Sequence, residues 1–217
     1  AMIGCGAQAE FQAIAFHHLL GIEELRIYDI DAGMMQKLND NLRAFPRLRV
    51  TPTASVAEAV KGADIVTTVT ADKQRAAILT SAMVEPGMHI NGLGGDCPGK
   101  TEIHPRVLEQ SKIFVEYEPQ TRVEGEIQQL SDDYPVTEIW EVVSGRQPGR
   151  DHRDQITLFD SVGFALEDFS VLRYLYKTAT ELGVAGQIAL IPELADPRNL
   201  YSAIAPPTPP AAPYRVA

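Results

Sequence analysis

The sequence is poor in several features that define whole classes of protein. It has only two cysteines in 217 residues, Cys5 and Cys97, and each lies in a glycine-rich segment, which favours reduced thiols over a disulfide framework. No apolar run reaches the roughly 18 residues that a membrane span needs, and the first residues lack the regions of a signal peptide. We therefore expect a cytoplasmic protein with no membrane partner.

Positive charge is scarce as well. The chain carries 19 Lys and Arg against 29 Asp and Glu, a formal charge of −10. Phosphate contacts need clustered basic side chains, so we expect a small-molecule partner and no nucleic acid. The five histidines show no spacing typical of metal ligands, so no metal site is predicted.

The chain does contain short apolar runs that alternate with amphipathic stretches, a pattern typical of βαβ units and a parallel sheet. Strands are predicted at Ala1–Ile3, Leu25–Asp29, Leu48–Thr51, Asp64–Val69, Met88–Leu93, Lys112–Glu116 and Gln155–Phe159. Helices are predicted at Ala7–Leu20, Ala32–Ala44, Ser55–Lys61, Glu118–Leu130, Val136–Ser144 and Val162–Leu182, the last closed by Gly183. The predicted fold is a Rossmann-type doubly wound α/β domain over residues 1–183. An extension follows over residues 184–217, with an unstructured Pro-rich tail at Pro206–Pro213.

The first strand leads directly into Gly4-x-Gly6-x-x-Ala9, a glycine pattern at a strand-to-helix turn. Gly4 permits the tight turn, Gly6 admits a pyrophosphate to the backbone, and Ala9 lets helix and sheet pack closely. Asp29 ends the next strand, where an acid binds the ribose hydroxyls of a dinucleotide. The pattern predicts a dinucleotide site, with a doubly wound domain that binds no dinucleotide as the alternative.

Residues near Asp29 predict which dinucleotide binds. Asp31 adds a second acid, and no Arg directly follows the strand to bind a 2′-phosphate, so NAD is predicted rather than NADP. Thr70 ends the fourth strand at the edge where ligands bind in such sheets, and it is a candidate cofactor contact. A polar loop residue with no ligand role is the alternative for Thr70.

The segment "NGLGGDCPGKTEIHP", from Asn91 to Pro105, follows the fifth strand at the same edge. Asp96 and Lys100 should project toward the nicotinamide end of the cofactor, where a carboxylate can do acid–base work. The alternative is that Asp96 only caps backbone amides in a turn. We assign Glu102 to the surface. Cys97 is not predicted to be a nucleophile, because no His with a supporting acid lies near it in sequence.

Two later segments each allow two interpretations. "EYEPQTRVEGEIQQL", from Glu116 to Leu130, reads as a solvated helix or ion-pair network, from which Arg122 or Glu124 could reach the cleft. "DSVGFALEDF", from Asp160 to Phe169, has a small-residue turn suited to close ligand approach. In the alternative interpretation Ser161 is only the N-cap of the next helix.

The segments "IGCGAQAEFQ", "VTTVTADK", "NGLGGDCPGKTE", "EYEPQTRVEGEIQQ" and "LFDSVGFALEDF" resemble the ornithine cyclodeaminase/mu-crystallin family, and among its members the bacterial cyclodeaminases. The resemblance runs from Ala1 to about Asp168. The Gly-Asp-Cys-Pro-Gly-Lys loop separates the cyclodeaminases from mu-crystallin-like members, which have a different loop there. It implies a homodimeric enzyme that converts L-ornithine to L-proline and ammonia. A hydride passes from the substrate α-carbon to NAD and returns to the cyclic imine.

The resemblance also implies a role for each matching residue. Asp96 would be the catalytic carboxylate and would touch the substrate, as would Val162. Beside Gly4 and Gly6, the residues implied to contact NAD are Ala7, Gln8, Asp29, Thr70, Asn91, Gly92, Leu93, Gly94, Lys100 and Ser161.

Some expectations concern what lies outside this sequence. The short first strand suggests that the chain begins inside a strand. The family's upstream domain, which supplies basic residues for the substrate carboxylate and much of the dimer interface, is then missing, and the chain alone could bind NAD without turning over ornithine. The alternatives kept open are a lysine cyclodeaminase, an NAD(P)H-dependent ketimine reductase and a non-catalytic, crystallin-like NAD-binding protein.

Overall fold

The structure is a computed structural model that describes residues 1–71, 75–186 and 196–203. The predicted Pro-rich tail at Pro206–Pro213 lies outside the described residues. In chain order the elements are β1 (Met2–Ile3), α1 (Ala9–Leu20), β2 (Glu24–Tyr28), α2 (Ala32–Asn41), β3 (Arg49–Pro52), α3 (Val56–Val60), β4 (Ile65–Thr68), β5 (Arg75–Leu79), β6 (His89–Gly92), β7 (Thr101–Ile103), α4 (Pro105–Glu109), β8 (Ser111–Val115), α5 (Glu118–Glu124), β9 (Thr137–Glu138), α6 (Ile139–Val143), β10 (Ile156–Asp160) and α7 (Ala165–Glu181). Short 3-10 helices occupy Leu42–Ala44, Glu126–Gln129 and Leu200–Ala203.

Eight strands form one parallel sheet in the order β3-β2-β1-β4-β6-β10-β8-β9. β1 pairs with β2 on one side and with β4 on the other, so that Met2 lies opposite both Ile27 and Thr67. The chain therefore winds outward in two directions from β1, and this reversal creates a crevice at the carboxyl ends of β1 and β4, where ligands bind in open α/β sheets. The predicted Rossmann-type fold is confirmed.

Two apolar clusters cover the sheet. Met2 belongs to a cluster with Ala9, Ile27 and Leu38, while its neighbour Ile3 belongs to the cluster of α3 and α4. Successive residues of a strand face opposite sides of the sheet, so the clusters lie on opposite faces. Burial on both faces explains why these strands read as continuous apolar runs rather than as alternating ones.

Local signals at the helix ends are confirmed. The Ser55 hydroxyl accepts a hydrogen bond from the Glu58 amide at the start of α3, and the Glu58 carboxylate accepts one from the Ala54 amide. After α7, Gly183 has a φ of +66°, the left-handed conformation that ends many helices.

The structure departs from the predicted elements in several places. The helix predicted over Glu118–Leu130 is broken at Gly125, because the next two amides leave the helical pattern and donate to Asp160. The helix predicted over Val136–Ser144 begins instead with β9, which pairs with β8 at the sheet edge. β5 and β7 form a separate two-stranded sheet that the sequence did not predict.

The 17-residue helix α7 buries none of its residues. Its exposed side chains include the large apolar residues Leu166, Phe169, Leu172 and Tyr176. Within the described residues, no helix combines the length and the apolar character that crossing a membrane requires.

Candidate functional site

The turn after β1 has the geometry that its glycines predict. Gly4 has a φ of +100°, and a Cβ there would lie 2.6 Å from the carbonyl oxygen of Val69. At Gly6 a Cβ would meet no atom within 4 Å. Ala9, at the start of α1, is fully buried against the sheet. Gly4 is therefore required by the turn itself, whereas the open space at Gly6 is free for a ligand.

A cavity of about 780 Å³ lies over this turn. The residues that line it include Gly4, Gly6, Asp29, Asp31 and Thr70. One Asp29 oxygen accepts from the Cys5 amide at 2.7 Å and the other from the Asp31 amide at 2.9 Å. These bonds fix the carboxylate at the end of β2 and leave it further lone pairs for a ligand.

Two cations, one lining this cavity and one beside the glycine turn, were not found from the sequence. Arg198 lines the cavity near Asp31, with Nη1 3.6 Å from a carboxylate oxygen. Lys37 donates from Nζ to the Gly6 carbonyl oxygen at 3.2 Å and forms an ion pair of 2.7 Å with the buried Glu10. Each contacts a residue far from it along the chain, so no local pattern could have predicted them.

The loop after β6 brings Asp96, Lys100 and Thr70 together. Lys100 Nζ lies 3.0 Å from a carboxylate oxygen of Asp96 and donates to the Thr70 carbonyl oxygen at 3.3 Å. The Lys100 side chain is nearly buried, whereas that of Asp96 is 54% exposed. The ammonium therefore holds an accessible carboxylate beside the cofactor contact predicted at Thr70.

The assignment of Glu102 to the surface is wrong. Glu102 lies on β7 and is only 1% exposed. One carboxylate oxygen accepts from the amide of Thr70 at 2.9 Å and from its hydroxyl. Burial raises the pKa of the Glu102 carboxyl, although hydrogen bonds from Thr70 oppose this. The surface prediction failed because β7, a three-residue strand, was not recognised.

Two further buried carboxyls extend inward from Glu102. Glu126 accepts the amides of Glu102 and Ile103 at 2.7 and 3.0 Å, and Asp160 accepts those of Glu126 and Ile127, each at 2.9 Å. Burial raises the pKa of Glu126 to about 8 and that of Asp160 to about 7. We call Glu102, Glu126 and Asp160 the carboxyl ladder, because Glu126 binds the backbone of Glu102 and Asp160 binds the backbone of Glu126.

Glycines make room for the carboxyl ladder. A methyl group at Gly94 would overlap the Glu102 carboxyl, and a Cβ at Gly95 would lie 2.7 Å from Glu126. A Cβ at Gly125 would lie 2.6 Å from Asp160. The glycines of the loop after β6 therefore serve the packing of acids as well as any approach of a ligand.

A fourth acid, Glu116 at the end of β8, fixes the turn before α7. Its carboxylate accepts from the Ser161 hydroxyl and from the amides of Val162 and Gly163 at 2.9 and 3.1 Å. The N-cap of α7 is Phe164, so the interpretation of Ser161 as the N-cap is wrong.

The remaining candidates have structural contacts. Arg122 binds Glu118 at 2.8 Å and the carbonyl oxygens of Ser131 and Tyr134. The Asn91 side chain lies between His89 and Thr67, and burial lowers the pKa of that histidine. Burial raises the pKa of Cys5 to about 12. Among residues 1–71, 75–186 and 196–203, no group of three or more His, Cys, Asp or Glu could hold a metal ion.

The predicted residues thus gather at the carboxyl edge of neighbouring strands. Gly4, Gly6, Asp29 and Thr70 share the cavity, and Lys100 links Thr70 to Asp96. Ala7 and Gln8 lie between the glycine turn and α1, Asn91 and Gly92 end β6, and Leu93 and Gly94 follow. Ser161 and Val162 follow β10, which pairs with β6.

Comparisons with known proteins give a family match. The model of the ornithine cyclodeaminase/mu-crystallin family matches residues 1–183. An ornithine cyclodeaminase of Brucella suis is 56% identical over 201 residues, which cover 93% of this chain and 56% of the relative. The chain thus spans little more than half the length of that relative.

Solved structures give the same fold. An archaeal alanine dehydrogenase dimer with bound NAD superposes with a TM-score of 0.77 at 31% identity, over 88% of this chain and 60% of that chain. A lysine cyclodeaminase, solved to explain recognition of L-lysine, L-ornithine and L-2,4-diaminobutyric acid, superposes with a TM-score of 0.78 at 28% identity. That match covers 90% of this chain and 56% of the other.

Proposed function

The chain belongs to the ornithine cyclodeaminase/mu-crystallin family, and from that membership we propose that it is the NAD-binding part of a cyclodeaminase that converts L-ornithine to L-proline and ammonia. The observation that carries the proposal is the joining of two sites. Lys100 contacts both Thr70, on the wall of the dinucleotide cavity, and the accessible carboxylate of Asp96.

The cavity suits NAD. The open space at Gly6 admits a pyrophosphate to the backbone, and the carboxylate of Asp29 is fixed where ribose hydroxyls can donate to it. Lys37, held against the Gly6 carbonyl oxygen, adds positive charge behind the same turn. In this proposal the other NAD contacts are Ala7, Gln8, Thr70, Asn91, Gly92, Leu93, Gly94, Lys100 and Ser161.

When bound, NAD would supply the acceptor for a hydride from the substrate α-carbon and return that hydride to the cyclic product. The residues of this chain would handle the protons. Asp96 would accept a proton from the substrate's ammonium group, since a neutral amine is needed both to release the hydride and to close the ring. Lys100, 3.0 Å away, would orient the Asp96 carboxylate.

Ser161 and Val162 would form the opposite wall. Glu116 fixes both through the Ser161 hydroxyl and the Val162 amide, so their positions do not depend on the ligand. In the proposal Val162 lies against the substrate. The assembly proposed is a homodimer, as in the NAD-bound alanine dehydrogenase.

Lysine is the second candidate substrate. The solved lysine cyclodeaminase recognises both L-lysine and L-ornithine, and it shares the fold of this chain. Ammonia release from L-ornithine and L-lysine by the full-length enzyme, measured in parallel with absorbance of NADH, tests the proposal. We expect ammonia from ornithine with no net NADH. Net NADH formation would instead indicate an amino acid dehydrogenase, and faster release from lysine would favour the second candidate.

A further inference from the structure

Glu102 occupies an unusual position between the two parts of the candidate site. It is 1% exposed, yet it contacts Thr70, which lines the cavity, and its carboxyl fills the space beside the Gly94 backbone. Its carboxyl holds Thr70 by two hydrogen bonds, from the amide and from the hydroxyl. Among the described residues, no other side chain accepts hydrogen bonds from both the amide and the hydroxyl of Thr70.

The second carboxyl oxygen of Glu102 is also buried, and it has no hydrogen-bond partner of good geometry. The hydroxyl of Thr68 has none either, although it is close enough to influence the carboxyl. A buried acid that leaves one oxygen unsatisfied is costly, so its placement needs a compensating reason. The fit against Gly94, where even a methyl group would overlap the carboxyl, supplies a positional reason.

We propose that Glu102 is a positioning residue that fixes Thr70 and the Gly94 backbone relative to each other and so sets the shape of the cofactor site. The proposal rests on the proposed function, which makes both residues NAD contacts. Lys100 extends the effect, because it binds the carbonyl oxygen of the same Thr70 and the carboxylate of Asp96. Glu102 acts through these neighbours and touches no reacting atom.

The variants Glu102→Gln and Glu102→Ala separate positioning from charge. The amide oxygen of Gln can still accept both hydrogen bonds from Thr70, and its amide group can donate toward Thr68, whereas Ala offers no acceptor. We therefore expect NAD affinity to fall about tenfold or more in Glu102→Ala, and Glu102→Gln to restore it to within about threefold of wild type. Titrations should be made well below the thermal midpoint of each variant.

Asp160→Asn is the matched control. Asp160 is equally buried and also accepts two hydrogen bonds, but these come from Glu126 and Ile127 rather than from Thr70. We expect this variant to unfold at lower temperature while its NAD affinity stays within about twofold of wild type. Equal losses of NAD affinity in Asp160→Asn and Glu102→Ala would show that general destabilisation, not positioning, is responsible, and would overturn the proposal.

Hydrogen exchange at the Thr70 amide tests the inference without any cofactor. This amide should exchange faster in Glu102→Ala than in wild type or Glu102→Gln, since its acceptor is lost only in the first. Unchanged protection in Glu102→Ala would overturn the positioning role even if NAD binds. Wild-type protein that fails to bind NAD would instead refute the proposed function, while the exchange result would still decide the role of Glu102.

Discussion

The turn after β1 and the loop after β6 lie at the same edge of the sheet but are stabilised in different ways. We call them the first and the second half of the candidate site. The first is held by the backbone, since Gly4 fits against the Val69 carbonyl oxygen and Gly6 leaves open space. The second is held by acids, since Glu102 and Glu126 fill the space beside Gly94 and Gly95. Glycine therefore leaves room for different groups in the two halves: for a ligand at Gly6 and for a buried carboxyl at Gly94.

The two halves also differ in how charge is neutralised. In the first, Glu10 pairs with Lys37 at 2.7 Å. In the second, the carboxyl ladder is satisfied mainly by backbone amides, and burial raises the pKa of each acid. An uncharged acid can stay buried at little desolvation cost, so the second half depends on protonation in a way that the first does not.

The largest effect is expected at Asp96, the accessible acid of the second half. In the active enzyme, Asp96→Asn should lower turnover of ornithine by about 10²–10⁴-fold, the usual contribution of a general acid–base group. NAD affinity should change little, because Asp29 and the glycine turn lie in the other half. Steady-state ammonia release and NAD titration on one preparation test both parts. Turnover near that of wild type would show that Asp96 is misassigned.

The next effect concerns pH. Glu126 has a pKa of about 8 and Asp160 of about 7 in the folded protein, above the usual 4.5 and 3.8. At a pH between the usual pKa and the folded-state pKa of each carboxyl, the folded state keeps a proton that the unfolded state has released. Stability is therefore full below about pH 4 and falls as pH rises through 7 and 8, by at most about 1.4 kcal/mol per pH unit for each group. Denaturant midpoints at pH 5, 6, 7 and 8 measure the slope.

Variants of the carboxyl ladder test whether its acids cause this fall of stability with pH. Glu126→Gln and Asp160→Asn should each flatten it, since each removes one titrating acid. Gly6→Ala, in the other half of the edge, removes none and should keep the wild-type slope. If stability rises with pH over this range, or if neither acid variant flattens the slope, the ladder is ionised in the folded protein and the contrast between the halves disappears.

The same contrast explains what the sequence could predict. Gly4, Gly6 and Asp29 follow a local spacing, and the buried strands are continuous apolar runs, so the sheet and the cofactor turn were found. The partners of Glu102, Glu126 and Asp160 are 23 to 34 positions away. No local pattern reports such contacts, and an acid in a short strand looks like a surface residue. Arg198 was missed for the same reason, since it approaches Asp31 from the end of the described chain.

A pair of glycine variants compares the two halves directly. Gly94→Ala would push the Glu102 carboxyl aside and should lower the free energy of unfolding by about 1–3 kcal/mol, as overpacking does. Gly6→Ala meets no atom within 4 Å and should leave that free energy within about 1 kcal/mol of wild type, while NAD affinity falls. Urea unfolding and NAD titration of both variants provide the measurement. A stable Gly94→Ala with Glu102 still bound to Thr70 would contradict the packing argument.

The smallest expected effect concerns the choice between NAD and NADP, which depends on Asp29 in the first half. Asp29 is fixed by the amides of Cys5 and Asp31, so it cannot move away from the added charge of a 2′-phosphate. Arg198 lies near but is turned toward Asp31 and Asp196, both of which compete for its charge. We expect NAD to bind about tenfold more tightly than NADP, a difference of about 1.4 kcal/mol. Asp29→Asn should narrow this ratio, whereas Arg198→Ala, the matched control, should widen it by removing the one nearby cation that the described residues supply at Asp31. Isothermal titration of both nucleotides against the three proteins decides the matter, and equal affinities in wild type would refute the assignment of Asp29.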